Sequence, residues 1–301
     1  MREVNLVFVI LHYLTTEETV QSIASIKRYM DTASYGIIVV DNASPNDSIQ
    51  LLHSKYETEG DTIHIVESSE NVGYARGLNI GIRRAKELYD FQYMILMNND
   101  IYFLEHQLYE KLECQYGKSQ FAVLGPMILC GDGTCNTNPY EMNLIDREEI
   151  RARLAIYKKQ EWLLKRNLYN LYNLLNGIKD DIITFCQRTK KLKQGKAYWL
   201  EQENVLLHGS IWIFSQDYFK KFSQLDERTF IYSEEDVLFV HLFAHGMKSV
   251  YQPDIKVFHV GSSSMNQLHT KEIKKRLLWK INNLQQGLHH LLEVMDEYES
   301  V

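Results

Sequence analysis

An alternation in the first hundred residues constrains this chain most. Short apolar runs, each closing on polar residues, are separated by segments of helical spacing. Leu6 to Leu11 is continuously apolar, as a central parallel strand covered on both faces must be. Thr15-Thr16-Glu17-Glu18 offers a capping box, Thr15 with Glu18, ahead of a helix through Met30. Val20, Ile23 and Ile26 share a face of that helix. Gly36 to Val40 reads as a second strand ending at Asp41, and Ser44-Pro45-Asn46-Asp47 as a turn into another helix. Ile63 to Val66 reads as a third strand. Asn71-Val72-Gly73-Tyr74 opens a loop, Ala75 to Leu88 a helix, and Tyr93 to Met97 a fourth strand ending at Asn98-Asn99-Asp100. This order predicts βαβ units, a parallel sheet and right-handed crossovers. Asp41, the Asn71 loop and Asp100 then follow the carboxyl ends of strands, where open α/β sheets bind ligands.

Beyond Asp100 the pattern is mixed. Ala122 to Ile128 and Ser210 to Phe214 read as strands, Glu234 to His245 as a helix, Ser249–Tyr251 and Lys256–Val260 as two short strands, and Thr270 to Tyr298 as a helical tail. With 45% hydrophobic and 24% charged residues the chain is globular, and 4 Pro and 15 Gly in 301 residues leave no linker-like tract. A net charge of -6 gives no general reason to bind nucleic acid. Cys114, Cys130, Cys135 and Cys186 form no CxxC pair and read as scattered buried thiols of a reducing cytoplasm. The first apolar run is too short to span a membrane, and no cleavage site follows it. The expected location is therefore cytoplasmic, with any membrane met from its inner face.

Several residues carry candidate chemistry. Asp41 can accept hydrogen bonds from a base N–H or a ribose hydroxyl, and equally can cap the next turn. Asp100 is a hard oxygen ligand suited to Mg²⁺ or Mn²⁺ on a diphosphate, with Asn98 placed for ribose or a metal-bound water. Tyr232-Ser233-Glu234-Glu235-Asp236 sets three carboxylates at a helix N-terminus. The helix dipole stabilises them there, and one can act as general base for an acceptor hydroxyl. His259, at a strand end, is a satisfied polar residue or the completion of a metal site begun by Asp100. His241 and His245 have ligand spacing on a helix, but no Glu of the HExxH kind lies between them, and both read as structural.

Taken in order, these segments resemble family 2 glycosyltransferases of the GT-A fold, particularly bacterial enzymes of polysaccharide assembly, including rhamnosyltransferase-like members. The matching pieces are Val39 to Ser44, Asn71 to Gly81, Leu96 to Asp100, Leu225-Asp226-Glu227 with Phe230 to Asp236, and Gly246 with Tyr251-Gln252-Pro253 and His259. Each is weak alone, and together they cover roughly residues 4 to 263 apart from an insertion. The resemblance implies an α/β, GT-A-type nucleotide-binding sheet of mostly parallel strands, with a helical insertion and a C-terminal helical tail. It also implies an inverting transfer of a hexosyl or deoxyhexosyl group from a UDP- or dTDP-sugar, aided by Mn²⁺ or Mg²⁺. The acceptor is a glycan or lipid-linked hydroxyl in surface polysaccharide or capsule synthesis. Asp41 is the implied base- or ribose-binding acid. Asn71, Arg76 and Asn79 lie in the implied donor loop, beside Asn98 and Asn99. Asp100 matches the metal-binding end of a DxD motif that begins here with Asn98, and His259 matches a histidine near the metal or diphosphate. Glu235 falls at the catalytic carboxylate, with Glu234 and Asp236 as alternatives, since Val237 stands where the family places a further acid. Two other classes stay open. A sugar-phosphate nucleotidyltransferase would need a Gly-rich start where His12-Tyr13-Leu14 stands, and a non-catalytic nucleotide- or glycan-binding relative would release no nucleotide diphosphate.

The expected division is a donor-binding part over 1–134, a basic helical insertion over 135–200, an acceptor and catalytic part over 201–264, and a helical segment over 265–301. In the insertion, Ile150, Leu154, Tyr157, Leu164, Leu168, Leu171, Leu175 and Ile178 form a heptad-like stripe. Residues 147 to 196 hold 13 Lys+Arg and 5 Asp+Glu, a net of +8, so the rest of the chain carries -6 - 8 = -14. The stripe has three candidate partners: the enzyme's own second half, a second copy in a homodimer, or a lipid surface. Docking or dimerisation suits the stripe best, and peripheral membrane contact suits Lys190, Lys191, Lys193 and Lys196.

Overall fold

The computed structural model describes residues 1–131, 135–140, 146–174, 197–261 and 273–299. The apolar run at the start becomes β1, Arg2–His12, between two parallel neighbours, β2 (Tyr35–Asp41) and β4 (Tyr89–Asn98). Outside β2 lies β3, Ile63–Glu67, also parallel. Both faces of these strands are covered, which is why the run need not alternate. Phe8, Ile10 and Val39 pack on Ile23 and Ile26 of α1 (Thr16–Tyr29) and Leu52 of α2 (Ser48–Tyr56). Val7, Val9 and Val40 pack on Leu78 and Ile82 of α3, Tyr74–Leu88.

Beyond β4 the sheet turns mixed. The short β5, Ile101–Phe103, precedes α4, Leu108–Ser119, and β6 spans Val123–Cys130. A two-residue β7, Cys135–Asn136, pairs with β6. After α5 (Arg147–Lys165) and β8 (Gln202–Glu203) come β9 (Ile211–Ser215), α6 (Gln216–Lys221), α7 (Glu234–Ala244), β10 (Ser249–His259) and α8 (Ile273–Glu299). The order across the sheet is β3-β2-β1-β4-β9-β6-β10-β5. β9 is antiparallel to both β4 and β6, and β10 is parallel to β6. The carboxyl ends of β1, β2, β4, β6 and β10 therefore share one edge with the start of β9. This is an α/β sheet of mostly parallel strands.

Several sequence expectations change. Thr15 precedes α1 without a side-chain capping bond, because its hydroxyl instead accepts from Asn99 Nδ2 at 2.7 Å. The two short strands expected after Gly246 are one, whose register shifts between Gln252 and Lys256 around Pro253. A bulge tolerates a residue with no N–H to donate. Cys130 is disulfide-bonded and Cys114 is an exposed free thiol, so neither is a buried thiol. The insertion opens with a strand rather than a helix, since β7 adds to the sheet.

The first part of the insertion's stripe docks on the chain's own second half. Ile150, Leu154, Tyr157 and Leu164 of α5 join Val237 and Val240 of α7 and Ile281, Leu288, Leu291 and Val294 of α8 in one core. The stripe then departs from the sequence pattern: Leu163 and Tyr172 are buried, whereas Leu168 and Leu171 are exposed. Leu175, Ile178 and the four lysines from Lys190 to Lys196 lie outside the described residues. Among the described residues no helix is long and apolar enough to cross a membrane. Leu164→Ala should lower the unfolding free energy by about 2–5 kcal/mol, and Leu171→Ala should change it by about 0.5 kcal/mol or less. Urea titrations of the two variants check this, and equal losses would place Leu171 in the core as well.

Candidate active site

The strand ends bring four segments together. Asp100 follows β4 and is 5% exposed. Its carboxylate Oδ1 lies 3.3 Å from Nε2 of His259 at the end of β10, and Oδ2 accepts from the Gly261 N–H at 3.2 Å. The backbone closes the same junction, with the Val260 N–H donating to the Asp100 carbonyl. Asn98 is half-buried at the last position of β4, where its N–H donates to the Ser210 carbonyl.

The segment before β9 supplies residues that the sequence reading did not single out. His208 Nδ1 lies 3.0 Å from the Ser210 hydroxyl, and its ring meets that of His259 edge-on at 6.0 Å. Burial, reinforced by His259 and opposed by Asp100, pushes the His208 imidazole down to about 4, so it is neutral near pH 7. Gly209 donates its N–H to Glu235 Oε1 at 3.1 Å and accepts at its carbonyl from the Tyr74 hydroxyl. One peptide stretch thus joins the start of α3 to the start of α7. A Cβ at Gly209 would stand 2.6 Å from Glu235 Oε1, so a larger residue would push the carboxylate away. Burial, then Glu235, Glu234 and Asp100, raise the Tyr74 phenol well above its ordinary value, which keeps it a donor. The signal for these residues was a polar His-Gly-Ser triplet at a strand start. Only the antiparallel sense of β9 places it beside Asp100.

Glu234, Glu235 and Asp236 are half-buried in the first turn of α7. The two residues before them, Tyr232 and Ser233, have φ of 79° and 70°. Left-handed backbone at non-glycine residues costs about 1–3 kcal/mol each and persists only where packing enforces it. Here α8 leans on the turn, and a Cβ at Gly287 would come within 2.7 Å of the Tyr232 carbonyl. Glu234 Oε1 is buried without a hydrogen-bond partner. Burial, then the charge of Glu235, raises the Glu234 carboxyl to about 8, and burial raises Glu235 as well.

The expected donor residues divide. Asp41 closes β2, 3% exposed, and its carboxylate accepts from the Ser44 N–H and hydroxyl, so it does cap the turn. The neutral His12 beside it, pushed down to about 4 by burial and only partly restored by Asp41, bridges the Thr19 and Ser48 hydroxyls. Asn71 is exposed, and its side-chain oxygen accepts from Asn42 Nδ2 and the Gly73 N–H. Arg76 is exposed, with Nε donating to the Glu227 carbonyl. Asn79 and Asn99 are engaged within the fold. Asn79 is fully buried, donating to the Leu225 carbonyl and Glu227 carboxylate while accepting from the Leu225 N–H. Asn99 is buried, and its amide donates to Thr15 and Thr19 at the start of α1. Both side chains tie neighbouring segments together. His241 bridges Asp226 and the Tyr298 hydroxyl, and His245 Nδ1 bonds the His241 carbonyl, so this pair is structural. A surface cavity of about 580 Å³, lined by His53, Tyr56, His64 and Arg84, lies near the amino end of β3, away from these strand ends.

The donor set can be tested against a divalent cation. Mg²⁺ uses one or two carboxylates plus substrate phosphates, and imidazole is an ordinary ligand of transition metals. Asp100 with His259 fits such a partial set, to be completed by phosphate and water. Among the described residues no cluster of three or more acidic, His or Cys ligands forms, so any cation would rely on its substrate for the remaining bonds.

Residues 8–222 match the model of glycosyl transferase family 2, and the chain belongs to that family. A comparison with curated proteins finds no match. Among solved structures, residues 1-349 of S. aureus TarS share the fold at a TM-score of 0.52 and 10% identity, over 93% of this chain and 71% of that one. The same TarS segment in complex with UDP matches at 0.52 and 11% identity, over 96% and 70%. GalNAc-T7 with UDP, GalNAc and Mn²⁺ matches at 0.58 and 12% identity, over 98% of this chain and 50% of that one. The arrangement is the α/β sheet of GT-A glycosyltransferases.

The raised carboxyl at Glu234 has a sign that can be measured. A folded value near 8 against an ordinary 4.5 means that the native state binds more protons between those limits, so this group's contribution to stability falls as pH rises. Glu234→Gln should therefore stabilise the fold relative to the parent at pH 8, by an amount that shrinks toward pH 4.5. Thermal melts across that range decide it, and a difference independent of pH would assign Glu234 an ordinary carboxyl.

Proposed function

We propose that the chain is an inverting glycosyltransferase that moves a hexosyl or deoxyhexosyl group from a UDP- or dTDP-sugar to an acceptor hydroxyl. The observation that carries this reading is the junction of Asp100 and His259, joined through His208 and Gly209 to the Glu235 carboxylate. The relatives in fold that are complexed with UDP support a nucleotide-sugar donor, and the one complexed with Mn²⁺ supports a divalent cation. The setting we favour is bacterial surface polysaccharide or capsule synthesis, rhamnosyltransferase-like, on a glycan or lipid-linked acceptor. In the corresponding division, residues 1–134 serve the donor and 201–264 the acceptor.

The chain's own residues then have distinct tasks. Asp100 and His259 would hold Mn²⁺ or Mg²⁺, which would supply positive charge where the leaving diphosphate becomes more negative. Asn98 and Asp41 contact the ribose or base from the ends of β4 and β2, on either side of β1, while Asn71 borders the donor from the loop before α3 and Arg76 from its first turn. Glu235 takes the proton of the acceptor hydroxyl as that oxygen attacks the anomeric carbon and the bond to the diphosphate breaks. The single displacement inverts the centre and needs no covalent intermediate. Burial raises the affinity of Glu235 for a proton, which suits a general base. Tyr74 acts through Gly209 to keep that carboxylate aimed.

Three variants test the roles. Glu235→Gln should lower kcat by about 10²–10⁴-fold and leave donor affinity nearly unchanged. A larger loss in Asp236→Asn or Glu234→Gln would move the base to that residue. Asp100→Ala should abolish turnover and remove the Mn²⁺ dependence of the thermal stabilisation given by UDP- or dTDP-sugars. Full activity of Asp100→Ala in chelator would end the cation reading. Tyr74→Phe should lower kcat by about tenfold with little change in KM and an altered pH profile, whereas an unchanged profile would leave Tyr74 a packing residue.

A further inference from the structure

The helices α5 and α8 form an antiparallel pair with opposite chemistry at its two ends. Arg147 pairs with Asp296 at one end, Gln285 donates to Glu161 further along, and Lys274 Nζ donates to Asn167 Oδ1 at 2.7 Å at the other. The first end is acidic: residues 146–149 and 293–299 hold seven acids and one cation, Arg147. The other end is a basic tip: residues 161–174 and 273–280 hold six cations, among them Arg166, Arg276 and Lys280, and one acid, Glu161, which pairs with Lys165. Apolar side chains stand among them in solvent. Trp162 is 49% exposed, Leu171 50%, Leu174 60% and Ile273 64%. The guanidinium of Arg166 lies 4.1 Å over the Trp162 ring.

We infer that this tip is a docking surface for an anionic lipid bilayer. Trp and Leu partition into the headgroup and acyl boundary, and Lys and Arg around them are drawn to anionic headgroups. The six cations argue against a second copy of the chain, because a two-fold contact through the tip would set like charges face to face. The tip also adjoins the candidate site. Trp279, in the second turn of α8, meets Phe230 edge-on at 6.1 Å, and the Phe230 carbonyl accepts from the Tyr74 N–H at 2.8 Å. Docking here holds the turn before Glu234 close to the lipid, where a lipid-linked acceptor would lie. That last step rests on the proposed transfer reaction, and the bilayer contact does not.

Flotation of the full chain with vesicles tests it. The protein should float with phosphatidylcholine vesicles containing phosphatidylglycerol, and far less with phosphatidylcholine alone, and release should follow rising salt. Arg166→Glu with Arg276→Glu should weaken binding by more than about tenfold. Trp162→Ser with Leu171→Ser should weaken it also at high salt. All these variants should keep the parent's melting temperature and its thermal response to nucleotide sugars, which separates loss of lipid binding from loss of the site. No flotation of the parent on anionic vesicles overturns the inference. So does a parent that dimerises without lipid in sedimentation velocity while the variants stay monomeric, since the tip would then be a self-interface.

Discussion

The structure concentrates negative charge where strand ends meet, and much of the rest follows from holding it there. Asp100, Glu234 and Glu235 all bear on the buried Tyr74 phenol. The one described imidazole deep among them besides His259 is His208, which burial keeps neutral near pH 7. Buried carboxylates repel one another and lose hydration, and two of them are steadied by backbone donors: Asp100 by the Gly261 N–H, Glu235 by the Gly209 N–H. Glu234 has an orphan oxygen, and burial with the charge of Glu235 raises its proton affinity. A site with this electrostatic surplus gains from a bound cation more than a balanced site would, which is the physical basis for the proposed role of Asp100 and His259.

Much of the first half was legible in the sequence because parallel strands with covered faces leave unbroken apolar runs. Val39-Val40-Asp41 and Leu96-Met97-Asn98 mark strand ends to within a residue or two in β2 and β4. β10 was not legible as one strand, since Pro253 looks like a terminator and only the shift of register shows how pairing continues. Strand direction was hidden too. His208 and Gly209 reach Asp100 because β9 runs against β4, and no local pattern in Ser210 to Phe214 encodes that sense.

Polar residues were the least legible, for a reason visible in Asn79 and Asn99. An amide serves a ligand or a buried backbone group with the same donors and acceptors, so composition cannot separate the two. Asn79 satisfies Leu225 on both its N–H and its carbonyl, and thereby fixes the segment leading to Arg228 and Phe230 against α3. Its contribution to the site is to set where the following turn begins. Likewise Asn99, by taking the Thr15 hydroxyl, removes the capping bond that the sequence pattern had implied.

The same reasoning ties α8, outside the matched family region, to the site inside and beside it. The left-handed Tyr232 and Ser233 cost about 1–3 kcal/mol each and need an external restraint. Gly287 lets α8 approach that turn, and the burial of Leu288 and Leu291 against α5 and α7 holds the helix in place. Asp226 adds a second tie, accepting from His241 on α7 and His290 on α8 while Arg228 reaches Glu297. Burial would raise the Asp226 carboxyl, but these hydrogen bonds and those from Arg228 outweigh it and hold the group far below its usual range, so it stays an acceptor across ordinary pH. The insertion helix α5 therefore serves the start of α7 indirectly: its apolar face helps seat α8, which in turn restrains the strained turn ahead of Glu234.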